Sequence, residues 1–170
     1  MIPYGRSDIT RVALLILPVI LALGESFGAL GRRPPPPSHQ AVEIETLVNR
    51  AAEVLEQQGS AAFSAFRTKG GGWRYGDVYL FVVDLRGIVL FNAARPNREG
   101  RDLLGERDAD GKRFHRDFID VVRQFGSGWV DYMFPRPGQA NAVVKWSYVC
   151  GTRVDGIEAL VGAGVYVEER

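Results

Sequence analysis

Apolar residues recur at spacings of three and four from Val42 onward: Ile44, Leu47, Val48, Ala51, Val54 and Leu55. Glu43, Glu45, Asn49, Arg50, Glu53, Glu56 and Gln57 take the other positions. This spacing predicts an amphipathic helix of at least four turns, which Gly59 kinks or ends. Ala61–Phe66 continues as a further helical piece, with Phe63 and Phe66 as core anchors. In Lys69-Gly70-Gly71-Gly72 the lysine precedes the glycines and no helical pattern follows, so the segment is a break and not a phosphate loop. The period then changes. Val78–Asp84 and Ile88–Phe91 are β-branched and aromatic runs around Leu85-Arg86-Gly87, the pattern of a hairpin. After a loop over 92–100, Asp108-Ala109-Asp110-Gly111 reads as a turn capping the next helix. That helix carries Phe114, Phe118, Val121, Val122 and Phe125 on one face and stops at Gly126. Trp129–Phe134, Ala142–Val149 and Ala159–Val167 read as strands, the last two separated by Cys150–Gly156. Short gaps between strands demand antiparallel neighbours. The fold class is therefore α+β, with Val78–Asp84 and Ala159–Val167 expected inside the sheet and Arg95, before Pro96, extended.

Ahead of this pattern lies a different one. Val12–Leu23 is uncharged and almost wholly apolar, follows Arg6 and Arg11, and is short for a membrane span. Small residues at Ala22/Gly24 and Ser26/Gly28 suit cleavage. Residues 1–28 are expected to be a signal peptide, with an N-terminal membrane anchor as the alternative. Residues 29–40, containing four consecutive prolines, are expected to form a stiff linker to a single domain over 41–170. The expected location is periplasmic or secreted.

Composition narrows the chemistry. Lys and Arg number 21 against 20 Asp and Glu, a balance that makes no case for nucleic acid. One cysteine, Cys150, excludes an intramolecular disulfide, and two histidines, His39 and His115, are too few for a histidine metal cluster. The Asp108 turn has Ile119 at the twelfth place, where a calcium loop needs a glutamate ligand. His115 reads as a surface residue, and no nucleophile elbow or paired acids appear, so neither an enzyme nor a cofactor is expected. Lys145 is more informative: it lies within Val143–Val149 and shares a face with Val143 and Ser147, away from Trp146 and Tyr148. A lysine so placed either reaches water by its stem or meets an anion. Trp129, Tyr132 and Tyr148 either pack in the core or offer polar groups to a pocket.

Taken in order, several segments resemble the single Cache domain of type 2, a PAS-like extracytoplasmic sensor domain of bacteria. They are Trp73–Asp84, Gly87–Leu90, Gly100–Leu104, Asp108–Lys112 with Phe114, Gly128–Tyr132, Lys145–Val149 and Val161–Tyr166. Two places depart from the family pattern: Phe91–Pro96 lacks the usual His-Pro pair, and Ile157–Leu160 lacks the usual Trp. The resemblance implies a PAS-like antiparallel sheet with a long N-terminal helix and a second helix flanking a ligand pocket. It further implies binding of small organic molecules, often short carboxylates. The ligand-binding set expected on this basis is Tyr79, Phe81, Asn92, Trp129, Tyr132, Lys145 and Ser147. Expected partners are a small-molecule ligand and a membrane receptor or kinase, with a homodimer through the N-terminal helix also open. The alternative is a structural or interaction protein using the same fold without a ligand.

Overall fold

The computed structural model describes residues 39–167; the expected signal peptide and all but the last two residues of the expected linker lie outside them. Helix α1 spans His39–Gln58. It opens three residues ahead of the periodicity at Val42, so His39 and Gln40 are helical and not part of a spacer. Ile44, Leu47, Val48, Ala51, Ala52 and Leu55 are its buried stripe. Gly59 ends it at φ 57°, and a Cβ there would stand 1.8 Å from Asp155 Oδ1, so only glycine lets the two segments meet. A 3₁₀ turn and the short α2, Phe63–Arg67, follow. Phe66 is fully buried and Phe63 stacks on Phe91 at 4.7 Å.

Strands β1 (Phe81–Asp84), β2 (Val89–Asn92), β3 (Ser127–Pro135), β4 (Ala142–Val154) and β5 (Ile157–Tyr166) make one antiparallel sheet in the order β2-β1-β5-β4-β3. β5 is central with β1 beside it, so both strands expected inside the sheet lie there. The elements lie where the sequence patterns place them, but strand bounds differ, as at β1, β4 and β5. β1 starts at Phe81 and not Val78, because Tyr75 and Val78 pair with each other in a local turn. β4 and β5 run on to a two-residue turn at Asp155-Gly156, both at positive φ (50° and 82°). That is the mirror-image turn whose twist suits a hairpin, and Asp-Gly is its usual sequence.

The sheet divides the core into two layers. On one face α1 packs against β4 and β5. On the other lies α3, Phe114–Phe125, over Phe81, Val83, Val130, Tyr132, Val149 and Leu160. Phe118 is 1% exposed, and burying such a ring contributes about 1.5–3 kcal/mol. Phe125 is half exposed, unlike the rest of its expected face. The Asp108 turn forms, but it does not cap α3. Its carboxylate accepts from the backbone of Asp110, Lys112 and Met133, tying the loop to β3 instead. Arg95 adopts φ −135° and ψ 71°, outside the helical region as a residue before proline must be.

Candidate functional site

The layer between the sheet and α3 contains the polar groups that have no counterpart in an ordinary core. The register of β3 with β4 sets which side chains meet: Val130 faces Ser147 and Tyr132 faces Lys145. β5 lies on the other side of β4, with Tyr166 opposite Lys145. Lys145 is therefore flanked by strands on both sides and is fully buried. Its Nζ donates to Tyr79 Oη at 3.0 Å and lies 4.1 Å from the Tyr79 ring centroid. Among the described residues it makes no ion pair. Asp84 of β1 and Asp131 of β3, acids of the same sheet, are bonded to Arg86 and to Lys112 respectively. Beside it, Tyr132 Oη and Ser147 Oγ share a buried hydrogen bond of 3.0 Å.

Positive charge collects here. Arg95, Arg98 and Lys145 place their charged groups 5.2, 5.4 and 5.5 Å from the Phe134 ring centroid. Among the described residues only Glu106 pairs with one of them, in a two-pronged pair with Arg98. Arg95 gives its Nη2 to the carbonyls of Pro135 and Arg136, and its buried Nε has no partner among the described residues. Burial pushes the Lys145 ammonium below its usual range, and the nearby Arg95 and Arg98 push the same way against Tyr79. Burial alone would raise the Tyr79 phenol, but the charge and hydrogen bond of Lys145 outweigh it and lower the group. Tyr132 is raised well above its usual range, chiefly by burial.

A cavity of about 20 Å³ lies in this layer, walled by Tyr79, Phe81, Asn92, Arg98, Phe114, His115, Phe118, Tyr132 and Phe134 among others. One water needs roughly 10–15 Å³ by this kind of measure, so a larger molecule enters only if side chains swing aside. Of the residues singled out from sequence, the structure gathers Tyr79, Phe81, Asn92, Tyr132, Lys145 and Ser147 in or against this layer. Lys145 stands behind Tyr79, which is the group at the cavity wall. Asn92 has its carbonyl committed to the backbone of Ala94 and Arg95, so it shapes the turn.

Trp129 is not brought to the cavity. It pairs with Tyr148, packs in the α1 layer, and donates from Nε1 to Glu45 Oε1 at 2.7 Å. Positions 129 and 132 of a regular strand face opposite sides, a parity already readable in the chain. His115 is the second correction. It is 4% exposed and lines the cavity instead of facing solvent. Phe118, Ile119 and Val122 stand three, four and seven residues beyond it, which is the spacing of a buried helical face. Arg98 and Glu106 lie in the loop between β2 and α3, where no periodicity could mark them.

An antiparallel sheet with a long helix on one face and a polar cavity on the other is the architecture of a PAS-like sensor domain. The Cache domain family model matches residues 43–170, and the chain belongs to that family. Over 166 residues the chain is 27% identical to the methyl-accepting chemotaxis protein McpP of Pseudomonas putida, covering 95% of this chain and 30% of McpP. It thus spans less than a third of the length of that curated relative. A periplasmic sensor domain of a chemotaxis protein superposes with a TM-score of 0.66 and 34% identity, covering 75% of this chain and 94% of the other. A Cache chemosensory domain, whose structure describes carboxylic acid recognition, superposes with a TM-score of 0.64 and 25% identity, covering 78% of this chain and all of its own.

Proposed function

We propose that this chain is an extracytoplasmic sensor domain that binds a short carboxylate between the sheet and α3, and that it binds its ligand without transforming it. The observation that carries this reading is Lys145. An ammonium that is fully buried, bonded to a phenol and among the described residues to no acid, and placed near two arginines, is costly without an anion. A carboxylate would take a hydrogen bond from Tyr79, whose oxygen already accepts from Lys145, and the ammonium's charge would strengthen that bond. The aromatic walls suit a short carbon tail. The similar Cache domain of carboxylic acid recognition supports the same class of ligand. Resemblance to chemoreceptor sensor domains supports a membrane receptor or kinase as the signalling partner.

The small volume of the cavity favours a second reading, an interaction domain that keeps the fold without a ligand. Calorimetry with acetate and propionate separates the two. The purified chain should bind at least one of them, and Lys145→Met should weaken that binding by about 1–3 kcal/mol, because it removes the charge that strengthens the Tyr79 hydrogen bond and not a direct partner of the carboxylate. Failure of the unaltered chain to bind either acid at millimolar concentration would refute the carboxylate reading. Equal affinities in chain and variant would remove Lys145 from the site.

A further inference from the structure

One polar group at the cavity is not used by the Lys145–Tyr79 pair. His115 is the second residue of α3, is 4% exposed, and is boxed by the rings of Phe114 at 4.5 Å and Phe118 at 5.7 Å. Its Nε2 sits between two groups of fixed role. Arg98 Nη2, which can only donate, is 3.2 Å away. Glu106 Oε2, which accepts as long as it is ionised, is also 3.2 Å away. Burial alone would raise the Glu106 carboxyl, but hydrogen bonds from His115 and Arg98 bring it down to about 2, so it remains a carboxylate. The other ring nitrogen, Nδ1, is buried and has no partner among the described residues.

A neutral imidazole holds one proton for two nitrogens. When Nε2 gives a hydrogen bond to Glu106, Nδ1 is left as a lone pair. When Nε2 accepts from Arg98, it gives up its bond to Glu106, which keeps its two-pronged pair with Arg98, and Nδ1 carries the proton and becomes a donor. Either way a buried Nδ1 without a partner is costly. A carboxylate only accepts, so it selects the second arrangement.

We infer that His115 is a second anion-binding group of the cavity, donating from Nδ1 to a bound carboxylate while Nε2 accepts from Arg98. The inference rests on the carboxylate reading above and adds a specificity residue to it. In shape, the side-chain nitrogen of asparagine stands roughly where Nδ1 stands, and that of glutamine roughly where Nε2 stands. His115→Asn should therefore keep acetate or propionate affinity near that of the unaltered chain. His115→Gln should keep the contacts to Arg98 and Glu106 yet weaken binding about tenfold or more, the loss of a hydrogen bond to a charged group. Equal affinity in His115→Gln, with the unaltered chain binding, overturns the role of His115 and leaves the carboxylate reading standing. No binding by the unaltered chain overturns both. Should either variant fail to fold, ¹⁵N NMR of the histidines decides. The chain has two, His39 and His115, and acetate or propionate at saturation should leave His115 protonated at Nδ1. A ring still protonated at Nε2 under those conditions overturns the inference.

Discussion

At the scale of single residues, Lys145 and Gly164 form one device. A Cβ at Gly164 would lie 2.3 Å from the Trp146 carbonyl oxygen, 2.4 Å from Ser147 Oγ and 3.0 Å from Lys145 Cε. The missing side chain is what lets the lysine stem lie flat between β4 and β5. Gly164→Ala should force these strands apart and cost about 1–3 kcal/mol, as overpacking a filled core does. Urea unfolding would show it as a lower midpoint, and calorimetry as weaker acetate or propionate binding. A variant of unchanged midpoint and affinity would mean that the strands yield without moving Lys145. The lysine was legible in the chain, because a charge at a core parity of an apolar strand has few outlets. The glycine was not, since its role depends on a neighbour twenty residues away in sequence.

At the scale of elements, the helices and strands follow from periodicity, and the errors fall where periodicity is silent or was misread. The Asp155-Gly156 hairpin was written in the chain as a turn dipeptide. Trp129 belongs to β3, yet to the face that packs on α1, where it ties that helix to the sheet through Glu45. Trp129→Phe keeps most of the apolar contact and removes the hydrogen bond. It should destabilise the chain by about 1–2 kcal/mol, the value of a bond to a charged group discounted for the partial exposure of Glu45. Carboxylate affinity should not change. A large loss of affinity with unaltered stability would return Trp129 to the binding site and contradict the two-layer division.

At the scale of the whole molecule, Arg98 and Glu106 of the β2–α3 loop join His115 of α3 beside the cavity, and this linkage makes the fold sensitive to acid. Glu106 has a folded value of about 2 against an ordinary 4.5, so between those values the unfolded chain binds more protons. Stability from this group is therefore present above about pH 4.5 and is lost as the pH falls toward about 2. Burial lowers His115 below its ordinary 6.5, which gives the same sign below that pH. Glu106→Gln should flatten the fall in urea stability between pH 5 and 2.5 by an amount on the order of 2 kcal/mol. Parallel curves for chain and variant would show that Glu106 is equally paired when unfolded. The amino-acid sequence by itself determined the α+β class, the antiparallel connections, the amphipathic faces of α1 and α3, and the oddity of Lys145, because these are local matters of period, propensity and short loops. Only the tertiary structure decided that Trp129 and Tyr132 serve different layers and that Lys145 meets a phenol and, among the described residues, no acid. It alone decided that Arg98, Glu106 and His115 converge on the cavity. Such facts depend on cross-strand register and on how an aperiodic loop crosses the sheet, and both are set by contacts between segments far apart in the chain.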